Sequence, residues 1–501
     1  MSALRMDTTT TKFIETDEFG RTKKFTLFSC GRPWYMAFHF AWINFMLAFC
    51  AWFAMANLMP HIKDDLKLEG SEISNANIAS VISTIIGRIF IGPVCDLLTA
   101  KYAMVLLISA GAIPVGLGGF IQNGTHLLLI RTFTGLCGAT FVPAQVWPSK
   151  MFSSQVVGRA NAIVAGWGNS GVGFGFILLP ILAKGFEKLE IMDDGWRGAM
   201  FVLAAVMIIV SIFTVTLSDG VPKKIDKPKS SFLQNVRDST SVLRNSSGVI
   251  LSPACWILVF HYACCFGAEI TFNNNLNLYL FSTFGEKNKT AVATTNEAFY
   301  EFEVTKDVAS YLSGVYALSN LVTRPLGGYC SDVMYRYYSV PGRVALLGVL
   351  LLAEGVCLLA FMPLVTRIWP FILSMMIFAL TSQAAEGATY SIVPFFKNEH
   401  VGMASGLIGA GGAIGGILFM LMIKLVEDSQ LMEQKSLHIM GGVVIFSAFL
   451  CFFLKMPGQP FLHQIKKTEN KCAPNTEVTS QNNDKLRKDI KMPLSDFGNV
   501  Q

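Results

Sequence analysis

Two arginines stand inside long apolar runs, and both runs share one arrangement. The first reads Thr84-Ile-Ile-Gly-Arg88-Ile-Phe-Ile-Gly92-Pro-Val-Cys-Asp96, the second Asn320-Leu-Val-Thr-Arg324-Pro-Leu-Gly-Gly328-Tyr-Cys-Ser-Asp332. In each, glycine follows arginine by four residues and aspartate follows by eight. A guanidinium at membrane depth costs a few kcal/mol or more, and such residues mark substrate or ion paths. One in each half of the chain points to a paired anion site. Eight residues of helix raise each arginine about 12 Å above its aspartate. With the aspartates at one face of a hydrocarbon core about 30 Å thick, both arginines fall near the midplane. Thr84 and Asn320, four residues earlier on the same helix faces, are placed to donate to the same anion. Asp96 and Asp332 read as gate residues that pair with a base or a helix N-terminus, not as substrate ligands.

A glycine-rich stretch holds a third polar candidate. Ala165-Gly-Trp-Gly-Asn169-Ser-Gly-Val172-Gly-Phe-Gly175 contains a formal Gly-x-Gly-x-x-Gly, but it lies inside an apolar run with no strand before it, so a dinucleotide-binding reading fails. Gly406-Leu-Ile-Gly-Ala-Gly-Gly-Ala413-Ile-Gly-Gly416 repeats the glycine density in the second half. Close helix packing explains most of these glycines. It leaves Asn169, an amide at mid-span that needs a partner, which a bound anion would supply.

Membrane helices must position these groups. The 501 residues are 52% hydrophobic and 15% charged, with mean hydropathy +0.47; a soluble domain carries about 25% charged residues. Twelve apolar runs of spanning length are predicted near 34–59, 74–98, 102–121, 125–147, 158–183, 198–217, 252–283, 308–331, 342–364, 368–394, 401–424 and 439–455. The run at 252–283 exceeds what a bilayer requires and should tilt or project. The expected fold is an all-α membrane protein of two pseudo-symmetric six-helix bundles. Its parts are an N-terminal segment (1–33), a first bundle (34–217), a basic linker (218–251), a second bundle (252–455) and a polar tail (456–501). Lys and Arg concentrate in alternate loops and in the tails, which puts both termini in the cytoplasm. That bias accounts for the net charge of +6 without any nucleic-acid partner. The eleven cysteines lie mostly in apolar runs and form neither a disulfide framework nor a metal spacing. Asn288-Lys-Thr290 is a sequon in the longest outer loop.

Parallel six-helix halves are the plan of the major facilitator superfamily. Ala-Gly-Trp-Gly-Asn at 165–169 and Gly-Ala-Gly-Gly-x-x-Gly-Gly at 409–416 resemble the paired signatures of its nitrate/nitrite porter family, in particular the eukaryotic high-affinity nitrate transporters. The likeness extends to Leu47-Ala-Phe-Cys-Ala-Trp52, Gly138-Ala-Thr-Phe-Val142, Gly267-Ala-Glu-Ile-Thr-Phe-Asn273 and Gln383-Ala-Ala-Glu-Gly-Ala-Thr389. Two positions depart from it: Val172 interrupts the first glycine run, and Ala413 stands where asparagine is common. Both bear on affinity and on the choice between nitrate and nitrite.

The resemblance implies that Arg88 and Arg324 hold the anion, with Tyr262 and Phe266, Phe49 and Phe141 around it. A planar guanidinium presents forked donors to a planar, singly charged oxyanion. Two of them facing each other are expected to repel until the anion arrives. Arg131 is expected to be structural or involved in coupling. Inward movement of an anion against a negative-inside potential costs about 2.3 kcal/mol per charge per 100 mV, so uptake needs a driver. Proton symport supplies one, with Glu386 first and Glu269 second as carriers; Glu354, His39 and His261 are the other titratable groups inside spans. A nitrate/nitrite exchanger needs no proton carrier and is the alternative. A transport-inactive nitrate sensor would be expected to lose the gate aspartates, which are present. No enzyme site, cofactor or metal is expected. The plasma membrane is the expected location, and plant relatives often work with a small single-span accessory subunit, on which the sequence is silent.

Overall fold

A computed structural model describes residues 4–6, 13–190, 194–220, 247–284, 304, 306–360, 368–396, 401–425 and 430–456. Most of the linker, the sequon at Asn288 and the tail beyond 456 lie outside the described residues. The chain forms α1 (Trp34–Asn57), α2 (Gly70–Leu97), α3 (Ala100–Phe120), α4 (Gly124–Met151), α5 (Val157–Lys188) and α6 (Gly195–Leu217). After the linker come α7 (Pro253–Phe284), α8 (311–338), α9 (340–360), α10 (Ile368–Phe395), α11 (Val401–Leu425) and α12 (Ser436–Phe453). Eleven described segments are long and apolar enough to cross a membrane, one fewer than the twelve expected. The difference lies in one segment of 50 residues, Tyr311–Ala360. It turns at Ser339, whose φ of 57° and ψ of −147° are not helical, so it comprises two crossings, α8 and α9. An even number of crossings returns both chain ends to one side. The helix α7, at 32 residues, is longer than a bilayer requires.

Burial separates the two faces of each arginine-bearing helix. Arg88 is 0% exposed while Phe90, two residues on, is 71% exposed; Arg324 is 0% exposed while Val322 is 68% exposed. Apolar side chains face outward and the cations face the interior, the inverse of a water-soluble helix.

The two halves meet through crossed pairs, α2 with α11 and α5 with α8. Glycine allows the approach: a Cβ on Gly92 would sit 2.6 Å from the carbonyl oxygen of Gly402, and one on Gly328 would sit 2.6 Å from that of Gly158. Each pair is closed by an aspartate at the end that carries the termini. Asp96 accepts from the backbone amides of Gly402 and Met403 at 3.1 Å each, the first turn of α11, and from Lys150 Nζ at 3.3 Å. Asp332 accepts from the amides of Gly158 and Arg159 at 3.0 and 2.9 Å, the first turn of α5, and from Arg159 Nε at 3.1 Å and Arg343 Nη2 at 2.7 Å. A carboxylate at a helix N-terminus meets unpaired N–H groups and the positive end of the dipole. Each half therefore caps a helix of the other. The N-terminal segment covers this same end: the Thr22 amide donates to Met151 at 3.0 Å, Ser153 donates back to Thr22 at 2.9 Å, and Trp34 Nε1 donates to Gly20 at 2.8 Å.

The two clamps differ in strength. Asp332 neutralises Arg343, which is fully buried, whereas the partner of Asp96 is Lys150, whose side chain is 24% exposed and can rehydrate. Removing one member of a buried pair costs about 3–5 kcal/mol. Asp332→Asn should therefore lower the melting temperature of the detergent-solubilised protein clearly more than Asp96→Asn; equal shifts would refute the ranking. Gly328→Ala should also destabilise, by about 1–3 kcal/mol of overpacking. Gly442→Ala, where nothing lies within 4 Å, should leave the melting temperature unchanged or raise it.

Candidate functional site

Three helices depart from α geometry near the middle of the molecule. The helix α4 tightens to a 3-10 helix over Gly135–Thr140, α8 does so over Ser319–Leu321, and α5 breaks at Ser170. Such stretches free backbone groups from the i→i−4 ladder. Arg88 uses one of them: its Nε donates to the carbonyl of Gly138 at 3.0 Å, while Nη1 donates to Gly409 of α11 at 2.6 Å. One guanidinium thus ties a carbonyl of each half. It lies 5.0 Å from the ring centre of Phe141 and 5.2 Å from that of Phe266, and its Nη2 has no protein partner.

Arg324 is held differently. Its Nη2 pairs with Glu269 of α7 at 3.1 Å and with Glu386 of α10, and its guanidinium stands 5.9 Å from the centre of the same Phe266 ring. Its Nε and Nη1 have no hydrogen-bond partner. Both arginines thus share one aromatic wall. Phe141, Tyr262 and Phe266 stack nearly parallel, with Tyr262 and Phe266 5.0 Å apart, and Tyr390 meets Phe141 and Tyr262 edge-on at 4.7 and 5.0 Å. The stack fits because α11 has glycine at 412: a Cβ there would lie 2.6 Å from the Tyr262 ring and 2.7 Å from Phe266. The Tyr262 hydroxyl is buried and without a partner.

A cavity adjoins this wall. Its lining includes Phe49, Asn169, Val172, Phe266, Glu269 and Asn320. These residues lie on the side of the arginines away from the chain termini, as the direction of each helix requires. Asn169 is buried and its Nδ2 has no acceptor. Arg88, Arg324, Tyr262 and Asn169 therefore bring donors to one region with no protein acceptor for them.

Three of the expected groups have other contacts in the structure. Thr84 does not offer its hydroxyl to this region: it donates within 3.0 Å of Ser80 O and 2.5 Å of Gly135 O, so its one proton is spent on helix packing. Asn320, in the cavity lining, gives its amide protons to Glu269 and to the carbonyl of Ala317. The two arginines are not a bare repelling pair either. Glu269 and Glu386 stand against Arg324, which already has these carboxyl groups as partners. Arg131 sits apart, its Nη1 on Trp52 O at 2.9 Å and Nη2 on Asn77 Oδ1 at 2.5 Å, anchoring α1 and α2.

Other participants escaped the sequence reading. Tyr390 closes the aromatic box; its position four residues after Glu386, one turn along the same helix face, was the available signal. Arg343, fully buried on Asp332, sits just past the turn at Ser339 and reads in sequence as a loop cation. The carbonyl of Gly409 has no sequence signal beyond the glycine run itself.

The model of the Major Facilitator Superfamily matches residues 41–295 and 288–491. Among characterised proteins, the chain is 31% identical to the high affinity nitrate transporter 2.5 of Arabidopsis thaliana over 437 residues, covering 86% of this chain and 82% of that one. It is 31% identical to nitrate transporter 2.1 of Chlamydomonas reinhardtii, covering 80% of this chain and 70% of that one. It is 26% identical to the nitrate/nitrite transporter NrtP of Nostoc punctiforme, covering 89% and 97%. These relatives are transporters, not enzymes. The chain is a multi-pass membrane protein that belongs to the major facilitator superfamily and, within it, to the nitrate/nitrite porter family.

Proposed function

We propose that this protein carries nitrate, and nitrite with it, into the cell by alternating access, and that protons travel with the anion. The observation that carries this reading is the meeting of two fully buried guanidiniums, one from each half, on a single phenylalanine ring, with donor atoms that no protein group satisfies. Nitrate is planar, singly charged, acceptor-only and weakly hydrated, so it can satisfy these donors at a small desolvation cost. The Phe141, Tyr262 and Phe266 rings exclude water, which strengthens each charge-assisted hydrogen bond. The named activities of the relatives agree with this substrate class.

Charge balance supports proton coupling. Arg88 and Arg324 bring two positive charges, Glu269 and Glu386 two negative ones. Adding nitrate leaves one uncompensated negative charge in a dry site, which is expensive. A proton on Glu386 or Glu269 removes it and at the same time releases Nη2 of Arg324 for the anion. Protonation and nitrate binding then favour each other by linkage. In this reading the protein lies in the plasma membrane with both termini cytoplasmic. The Asp96 and Asp332 clamps seal the cytoplasmic end while the cavity beside Asn169 faces outward. Inward opening must break both clamps together.

Labelled nitrate uptake and voltage-clamp current in oocytes test the proposal. Arg88→Lys keeps the charge and loses the fork that spans Gly138 and Gly409. Loss of one or two charge-assisted bonds, about 1.5–3 kcal/mol, should raise the apparent KM roughly 10- to 150-fold at normal surface expression; an unchanged KM would exclude Arg88 from the site. Wild-type uptake should rise as external pH falls, because the protonated acid is the form that releases Arg324. Glu386→Gln should mimic that form, lowering KM for nitrate and flattening its pH dependence. A wild-type current that ignores pH would favour nitrate/nitrite exchange.

A further inference from the structure

Tyr390 stands on α10, buried, one turn past Glu386. Its carbonyl and its hydroxyl are engaged by different helices. The carbonyl accepts from Asn161 Nδ2 of α5, in the first half, at 3.3 Å. The hydroxyl donates to the carbonyl of Ser405 on α11 at 3.0 Å. Tyr390 is thus a strut between α5 and α11. Its ring is braced edge-on by Phe141 at 4.7 Å and by Tyr262 at 5.0 Å.

The turn of α11 that Tyr390 holds is the one that orients Arg88. Ser405 and Gly409 lie four residues apart on one helix face. The carbonyl of Gly409 accepts from Arg88 Nη1 at 2.6 Å. Gly409 is also where the groups converge: a Cβ there would sit 3.2 Å from the Tyr390 hydroxyl oxygen, 3.3 Å from Phe141 and 3.5 Å from Arg88 Cδ. The carbonyls of Gly138 and Gly409 hold two nitrogens of Arg88 and leave Nη2 without a partner, so they set the direction in which Nη2 points. A phenol has one proton to donate, and here Ser405 takes it. The hydroxyl therefore acts through α11 and not as a donor to an anion.

We propose that Tyr390 is a positioning residue for nitrate binding: its hydroxyl fixes the 405–409 turn of α11, and that turn aims the free Nη2 of Arg88 at the anion. This deepens the nitrate reading and rests on Arg88 as an anion ligand. It also gives one helix a hold on both guanidiniums. Glu386 of α10 pairs with Arg324 directly, while Tyr390, four residues on, reaches Arg88 through α11. A displacement of α10 then moves the holders of both cations together.

The test is a double-mutant cycle on labelled nitrate uptake, with KM and maximal rate per surface copy read for wild type, Tyr390→Phe, Arg88→Lys and the double variant. Tyr390→Phe keeps the ring and loses only the hydroxyl. It should raise KM about 3- to 10-fold, as expected for one neutral hydrogen bond, and hold the maximal rate within about twofold, because that bond joins two helices of the same half. In the Arg88→Lys background the same substitution should change KM by less than about twofold, since the fork that Tyr390 orients is already gone. A wild-type KM in Tyr390→Phe overturns the proposal, and so does a fall in maximal rate alone, which marks a purely structural role. Equal factors in both backgrounds also overturn it, because the hydroxyl then acts independently of Arg88. An Arg88→Lys variant with unchanged KM instead overturns the anion-site reading on which the proposal rests. If Tyr390→Phe does not reach the surface, nitrate affinities of the four purified proteins, read by calorimetry, close the same cycle with the same expected factors.

Discussion

A buried arginine held by two carboxylates is the constraint on which the rest of this molecule depends. Arg324 pairs with Glu269 from α7 and Glu386 from α10, so three helices of the second half converge on one guanidinium. A charge at this depth is tolerable only when it is matched. The match fixes α7, α8 and α10 relative to one another and sets the stance of Phe266. It also makes the site a competition: an incoming anion and two resident carboxylates seek the same donors, and protonation decides which prevails. Arg88 has no acid. It is held by carbonyl oxygens at 138 and 409, which position a cation without neutralising it. The halves are therefore similar in backbone and unlike in charge.

Backbone irregularity is the means by which the site is built. The 3-10 turns at Gly135–Thr140 and Ser319–Leu321 sit where the helices pass the arginines, and the first delivers the carbonyl that orients Arg88. Unsatisfied carbonyls are not tolerated against lipid, but they are where a buried cation consumes them. Glycine at 412 has the complementary role, removing the side chain that would displace the stacked rings. At the end carrying the termini, glycine contacts and aspartate caps recur twice by pseudo-symmetry, so the opening of one pair implies strain on the other.

Much of the architecture was legible in the sequence because the bilayer is a stringent solvent. It forces a run of about 20 apolar residues per crossing, and it makes every intramembrane arginine conspicuous. The one ambiguity in the count, the continuous segment Tyr311–Ala360, resolves at Ser339, whose turn is a matter of two backbone angles and leaves little mark on hydropathy. The membership of the chain in its family could be read from glycine-rich signatures, since those residues answer to packing distances that admit no larger side chain. The fate of each polar donor could not. Thr84 and Asn320 share helix faces with the arginines, yet the carbonyl of Gly135 and the carboxylate of Glu269 claim their protons first.

By itself the sequence marked the apolar runs, the places of Arg88 and Arg324 within them, the repeated spacing of arginine, glycine and aspartate, and the family, all of which follow from local composition and spacing along single helices. Only the tertiary structure decided that Arg324 is paired with acids, that Arg88 reaches the carbonyl of a residue 321 positions away and that Tyr390 completes the aromatic box. The physical reason is that hydrogen bonds and ion pairs act over about 3 Å. Which groups come that close depends on how twelve helices rotate against one another, and that rotation is a property of the packed bundle, not of any one segment.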